Sequence, residues 1–285
     1  MQPAQGRQTR RWTGGLAVLA IAVVLAVAPV RTTAYVLFRA YGSAAAVAEA
    51  RGLSRLDGPN VTIAYAAQDA AVADLVLNVA EELYGEVTRL VGHEPRRGPL
   101  IIIHPDRASL RSRLGWAQGP DAVGAYWTGV VRLLSPRVWA QGDMAEVFRR
   151  EGPLAHELAH YVLDLYTAGN YPRWYTEGLA QWIEYELTGY LWVEGADDPA
   201  YMYPLGDLAH SFARLPDQAR AYRQSFLVVA YLVDKAGAGS LRGLNRLLAA
   251  GRPFAAALRQ SAGFTLRELE PQWLEWVGDN AWRFR

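Results

Sequence analysis

The pentapeptide His156-Glu157-Leu158-Ala159-His160 constrains what this chain can fold into more than any other stretch. It lies in an apolar, helix-compatible run opened by Gly152-Pro153, and proline suits the first turn of a helix. Two residues four apart on a helix lie about 40° apart around its axis, so both imidazoles can reach one metal ion. The Glu157 carboxylate then points toward the same place, where it can take a proton from water. Leu154, Leu158, Tyr161, Val162 and Leu165 supply apolar surface, and Ala168-Gly169-Asn170 read as the helix end. Such a helix must run along the floor of a cleft, with one side packed and both histidines reachable.

A third ligand has to come from a neighbouring element. Sixteen residues separate Glu177, in Trp174-Tyr175-Thr176-Glu177-Gly178-Leu179-Ala180, from His160. That length lets one helix finish, turn, and return antiparallel with a carboxylate near the start of the second helix. The chain has no cysteine, so any zinc must be held by His and carboxylate. Two His, one Glu and an exchangeable position make a catalytic zinc set rather than a closed structural one. Burying these groups on an apolar helix without a cation to share would be expensive.

The N-terminus constrains location. Arg7, Arg10 and Arg11 precede the stretch Gly14 to Val30, which carries no acidic or basic residue. Seventeen helical residues span about 25 Å, close to the lower limit for crossing a bilayer. The basic cluster predicts a cytoplasmic N-terminus, a single transmembrane helix and an extracytoplasmic remainder. A removed signal peptide is the alternative, giving a secreted protein: Ala26-Val27-Ala28 resembles a cleavage site, although Pro29 would follow the cut. A net charge of +1 gives no reason to expect nucleic acid as a partner.

The sequence divides into an anchor or signal segment (1–35), a helical or loose connector (36–58) and a catalytic domain (59–285). Within that domain an α/β part (59–143) precedes a helical part with the metal site (144–285). Val61–Tyr65 reads as a strand, 70–91 as an amphipathic helix ended by Gly92, and Leu100–His104 as a buried strand. A short helix reaches about Leu114. Val123–Trp127 and Val130–Leu134 flank Thr128-Gly129 as a hairpin, stopped by Ser135-Pro136. Strands with helices, then helices alone, predict an α+β fold.

The two motifs together resemble the gluzincin, or peptidase MA-like, zinc metallopeptidases. Trp174–Ala180 is similar to the Trp-x-x-Glu-Gly-x-Ala signature of their aminopeptidase branch. The resemblance covers about residues 60–280. It implies a thermolysin-like (zincin) domain with a small mixed sheet and an active-site helix, with Zn2+ on His156, His160 and Glu177. It also implies hydrolysis of peptide or protein substrates with Glu157 as base. That branch carries an acidic segment which holds the substrate's free amine. Here Gly124-Ala125-Tyr126-Trp127-Thr128 has no acid, which points to an endopeptidase. A catalytically silent zincin-fold scaffold at the membrane and a hydrolase of non-peptide amides are the competing readings.

Further residues are candidates for supporting roles. Tyr222 is the first choice for stabilising the developing oxyanion, and His210 the second. Asp164, one turn beyond His160, either orients an imidazole or faces solvent. Strand Val130–Leu134 either lines the cleft and pairs with an extended substrate or is an ordinary strand of the sheet. His93 and His104 receive no role, and Trp273, Trp276 and Trp282 read as packing.

Overall fold

The computed structural model describes residues 32–284 apart from 116–121, 192–194 and 196. The apolar stretch 14–30 lies outside these. Among the described residues, no helix is long and apolar enough to cross a membrane.

Residues 32–50 form a helix, α1, which runs continuously through the position where an anchor was expected to give way to a connector. Strand β1 (Ser54–Asp57) follows, then β2 (Thr62–Tyr65), α2 (Ala70–Val91), β3 (Leu100–His104) and α3 (Arg107–Leu114). Next come the hairpin β4 (Gly124–Trp127) and β5 (Val130–Leu134) and the short helix α4 (Pro136–Trp139). The remaining helices are α5 (Met144–Glu151), α6 (Leu154–Thr167), α7 (Arg173–Thr188), α8 (Leu205–Ser211), α9 (Gln218–Ala236), α10 (Ala238–Ala249), α11 (Phe254–Ala262) and α12 (Leu266–Asn280). The chain is therefore α+β, with a small sheet followed by helices.

The sheet order is β1-β2-β3-β5-β4. The central strands β2, β3 and β5 are parallel, and β1 and β4 add antiparallel at the two edges. Four of the five residues of β3 and all five of β5 are buried, as strands covered on both faces must be. This decides between the two readings of Val130–Leu134: it is an ordinary interior strand, paired to β3 and β4, so its backbone cannot accept a substrate strand. The edge belongs to β4. The connector also contributes more than was expected, since Ser54–Asp57 supplies a strand.

One sheet face, through Ile63, Ile101, Ile103, Val131 and Leu133, joins the main core with α2, α6, α7, α9 and α10. The other face, through Ala64, Ile102 and Val130, is covered by Ala46 of α1 with Ala50 and Leu53. Helix α2 ends at Gly92 in the left-handed region (φ 85°). The hairpin turn places Thr128 (φ 48°) and Gly129 (φ 85°) at positive φ, as a primed two-residue turn requires. His104 is buried against Arg132, with 3.1 Å between its Nε2 and Arg132 Nη1. Burial, helped by that guanidinium, pushes the imidazole pKa down to about 4. His93 stacks on Tyr166 at 4.2 Å. Trp273 and Trp276 are core residues, while Trp282 is exposed.

Helices α7 and α9 approach closely at Gly178. A Cβ there would stand 2.2 Å from the Ser225 carbonyl oxygen and 2.9 Å from Val229 Cγ2. Because the first obstacle is backbone, Gly178→Ala should separate the helices and destabilise the fold by about 1–3 kcal/mol. Urea unfolding in the presence of chelator measures this; an unchanged midpoint would mean that the two helices separate at no cost.

Candidate metal centre

Helix α6 carries the two histidines and α7 the third candidate ligand. Ala168 (φ 52°) and Gly169 (φ 73°) end α6 in the left-handed region, and the chain returns into α7 after Pro172. The pairings run antiparallel: His160 meets Thr176 and Glu177, and His156 meets Glu177 and Glu184. His156, His160 and Glu177 form a cluster of potential metal-ligating groups.

The donor atoms face one point. His156 Nε2 and His160 Nε2 are 3.1 Å apart, and Glu177 Oε2 lies 3.4 Å from His160 Nε2 and 3.7 Å from His156 Nε2. Ligands about 2.0–2.1 Å from a tetrahedral zinc would be about 3.3–3.4 Å from one another, so this triangle fits that ion. The histidines are only partly buried, whereas Glu157, Glu177 and Glu184 are buried. Three buried carboxylates around two imidazoles leave a surplus of negative charge that a divalent cation would neutralise.

His160 and Glu177 are held from behind by hydrogen bonds. His160 Nδ1 is 2.7 Å from Thr176 Oγ1, a contact that holds the ring with Nε2 toward the shared point. His156 Nδ1 is 3.5 Å from Glu184 Oε2, an ion-pair distance rather than a short hydrogen bond. Arg173 Nε donates to Glu177 Oε1 at 3.2 Å, leaving Oε2 for the cluster. Glu157 Oε2 accepts the backbone N–H of Tyr126 at 2.6 Å, tying α6 to edge strand β4. Gly124 permits that approach, since a Cβ there would be 2.6 Å from Pro153 Cγ and 3.3 Å from Glu157 Cγ.

The electrostatics follow from this crowding. Burial opposes a charged His156, but the carboxylates of Glu177 and Glu184 outweigh it and raise its pKa well above the ordinary imidazole value. Burial would raise Glu177, yet hydrogen bonds from the two imidazoles hold its carboxyl far below the usual range. Glu157 moves the other way: burial dominates and raises its pKa. For Tyr222, burial and then the Glu177 charge push the phenol up to about 12, so it stays protonated at neutral pH.

The structure thus brings together four of the five expected site residues directly. The fifth, Tyr222, lies beside them: its hydroxyl accepts from Arg173 Nη2 at 3.2 Å, and the same guanidinium grips Glu177. His210 is exposed on α8. Asp164 corrects both expectations. It is fully buried and accepts from the hydroxyls of Tyr35 and Tyr126, both at 2.5 Å, and from Arg39 Nη1 at 3.1 Å, while Thr176 takes the place at His160 that Asp164 was expected to fill. Sequence reading passed over Arg173, Thr176 and Glu184. Helical period could have found two of them: Arg173 lies one turn before Glu177 and Glu184 two turns after it, on the same face.

Residues 123–279, more than half of the chain, match the Peptidase MA superfamily. Among solved structures the chain is similar to a variant of an M1 zinc metallopeptidase from Deinococcus radiodurans, at 17% identity and a TM-score of 0.43. That match covers 79% of this chain and 50% of the other, so the chain spans half the length of that protein. No curated protein matches the chain.

If the three donors hold zinc, His160→Ala and Glu177→Ala should each abolish stoichiometric zinc in elemental analysis of purified protein. Thr176→Val removes only the hydroxyl at His160 Nδ1 and should weaken zinc binding about 10–100-fold in a chelator competition. An unchanged affinity would mean that Thr176 does not orient the imidazole.

Proposed function

The chain belongs to the peptidase MA superfamily, and from that membership and the geometry of its site we propose that it is a zinc-dependent endopeptidase. The observation that carries this reading is the convergence of His156 Nε2, His160 Nε2 and Glu177 Oε2, with the Glu157 carboxylate held on the same helix by the Tyr126 N–H. Zinc at this point would act as a Lewis acid that acidifies a water and polarises a carbonyl.

The chain's own groups supply the rest. Glu157 takes the proton of the attacking water and passes it to the leaving amine. The Tyr126 N–H fixes Oε2, so the other carboxylate oxygen is placed to receive the proton. A raised pKa brings a carboxyl closer to neutrality and makes it a better base than an exposed glutamate. Tyr222 remains a phenol at neutral pH and donates to the developing oxyanion, with Arg173 fixing its position. Substrate binds as an extended strand along the edge of β4. No acid in Gly124–Thr128 is available to hold a free α-amine, which favours cleavage within a chain. A silent scaffold would have no use for a carboxylate held where Glu157 is.

The enzyme works outside the cytoplasm, tethered by residues 14–30, with the cluster of Arg7, Arg10 and Arg11 on the cytoplasmic side. The support for this is the sequence pattern alone.

Glu157→Gln should keep its zinc yet lose at least about 100-fold in casein or peptide hydrolysis. Parental rates in that variant would remove Glu157 as the base. Tyr222→Phe should lower kcat by about 100-fold with little change in KM or zinc content. A loss confined to KM would make Tyr222 a substrate-binding residue instead.

A further inference from the structure

Helix α1 is amphipathic in the reverse sense for a protein in water. Beyond the exposed Thr32 and Thr33, its polar side chains other than Tyr41 point inward. Tyr35 and Arg39 bind Asp164 of α6, Ser43 Oγ donates to the Thr128 carbonyl at 2.6 Å, and Glu49 pairs with Arg132 at 2.9 Å and Arg113 at 3.2 Å. The fit is close along its length: a Cβ on Gly42 would meet the Thr128 side chain, and one on Gly169 would meet the Tyr35 ring.

The outward positions from 36 to 48 carry only Val, Leu, Phe, Ala and Tyr, with no charged residue. Leu37 is 64% exposed, Phe38 53% and Tyr41 77%. Trp127, on the β4 end of the hairpin, extends this surface, its ring edge-on to Phe38 with centroids 6.2 Å apart. Most of the large hydrophobic side chains exposed among the described residues therefore lie on one face of the molecule. A contiguous apolar face of this kind marks an interaction surface rather than ordinary scatter.

Chain continuity identifies the occupant. The uncharged stretch 14–30 is separated from α1 by Arg31 alone, so a chain leaving a bilayer enters α1 at the bilayer surface. With Trp, Tyr and Phe together, the face has the composition found where protein meets lipid headgroups. Helix α1 is not apolar enough to cross a membrane, which suits a helix lying along one. We propose that the outward face of α1, with Trp127, lies in the interfacial layer of the bilayer and docks the catalytic domain on the membrane. This inference rests on the membrane-tethered reading above. It also sets the site's orientation: the residue beside Trp127 is Tyr126, whose N–H holds Glu157, so lipid lies one residue from the edge of the cleft. Substrates would then be extended segments close to the membrane surface.

The absence of cysteine makes this directly measurable. Leu37→Cys, Phe38→Cys and Tyr41→Cys, each carrying a nitroxide, are compared with Gln260→Cys on the exposed side of α11. The protein is the full chain in phosphatidylcholine–phosphatidylglycerol vesicles, after confirming that it floats with them. The α1 labels should relax with dissolved oxygen and be shielded from a water-soluble nickel chelate, and the Gln260 label should show the reverse. Equal nickel access at α1 and at position 260 in floating protein overturns the docking inference while leaving the tether standing. Labels shielded from both reagents, or showing dipolar coupling between copies, also overturn it, because protein then covers the face. Failure to float sinks the tethered reading itself.

Discussion

The whole arrangement depends on holding like charge together in a confined space. Glu157 and Glu177 are buried within reach of the same two imidazoles, and Glu184 is buried beside one of them, His156. Carboxylates so placed repel one another and lose hydration, so the fold must fix the helices carrying them independently of any ion. Close packing of α6, α7 and α9 does this, with Gly178 letting α7 sit against the Ser225 carbonyl. The geometry is then imposed on the ligands by backbone that has few alternatives. A cation arriving there meets donors already converged, two of them hydrogen-bonded from behind.

What could be read from the sequence follows from which residues have local causes. Helix α2 and strands β3 and β5 were legible because apolar period and turn residues both reside in the segment itself. The ligands were legible because helical spacing alone puts His156 and His160 on one face. Their supports were less so. Thr176 acts on His160 across the α6–α7 interface, and nothing in its own neighbourhood in the chain announces that contact. The edge strand was not legible because hairpin order does not say which partner faces the next strand; β3 pairs with β5, leaving β4 outside.

The orientation of helix α1 was illegible for a different reason. Its polar residues, Tyr35, Arg39, Ser43 and Glu49, are spaced for one face of a helix. A reader who assigns the polar face to water would turn that helix round. Only the partners reveal the true sense, and they are distant in sequence: Asp164, Thr128 and Arg132. The same displacement misled the reading of Asp164. A carboxylate one turn from a ligand looks like a ligand's support until three tyrosines and an arginine are seen to converge on it.

That convergence links the two halves of the molecule's chemistry. Asp164 binds Tyr35 and Arg39 from α1 and Tyr126 from the edge strand, and it does so from the metal-site helix. The Tyr126 hydroxyl goes to Asp164 while its backbone N–H goes to Glu157. A single residue therefore couples the base to a buried carboxylate, and that carboxylate to the helix that faces outward with apolar side chains. Because Asp164 is fully buried, shifting α1 would strand its charge, a cost of several kcal/mol when one partner of a buried pair is lost. Position of the outer helix and position of the cleft edge are thus tied through one buried carboxylate.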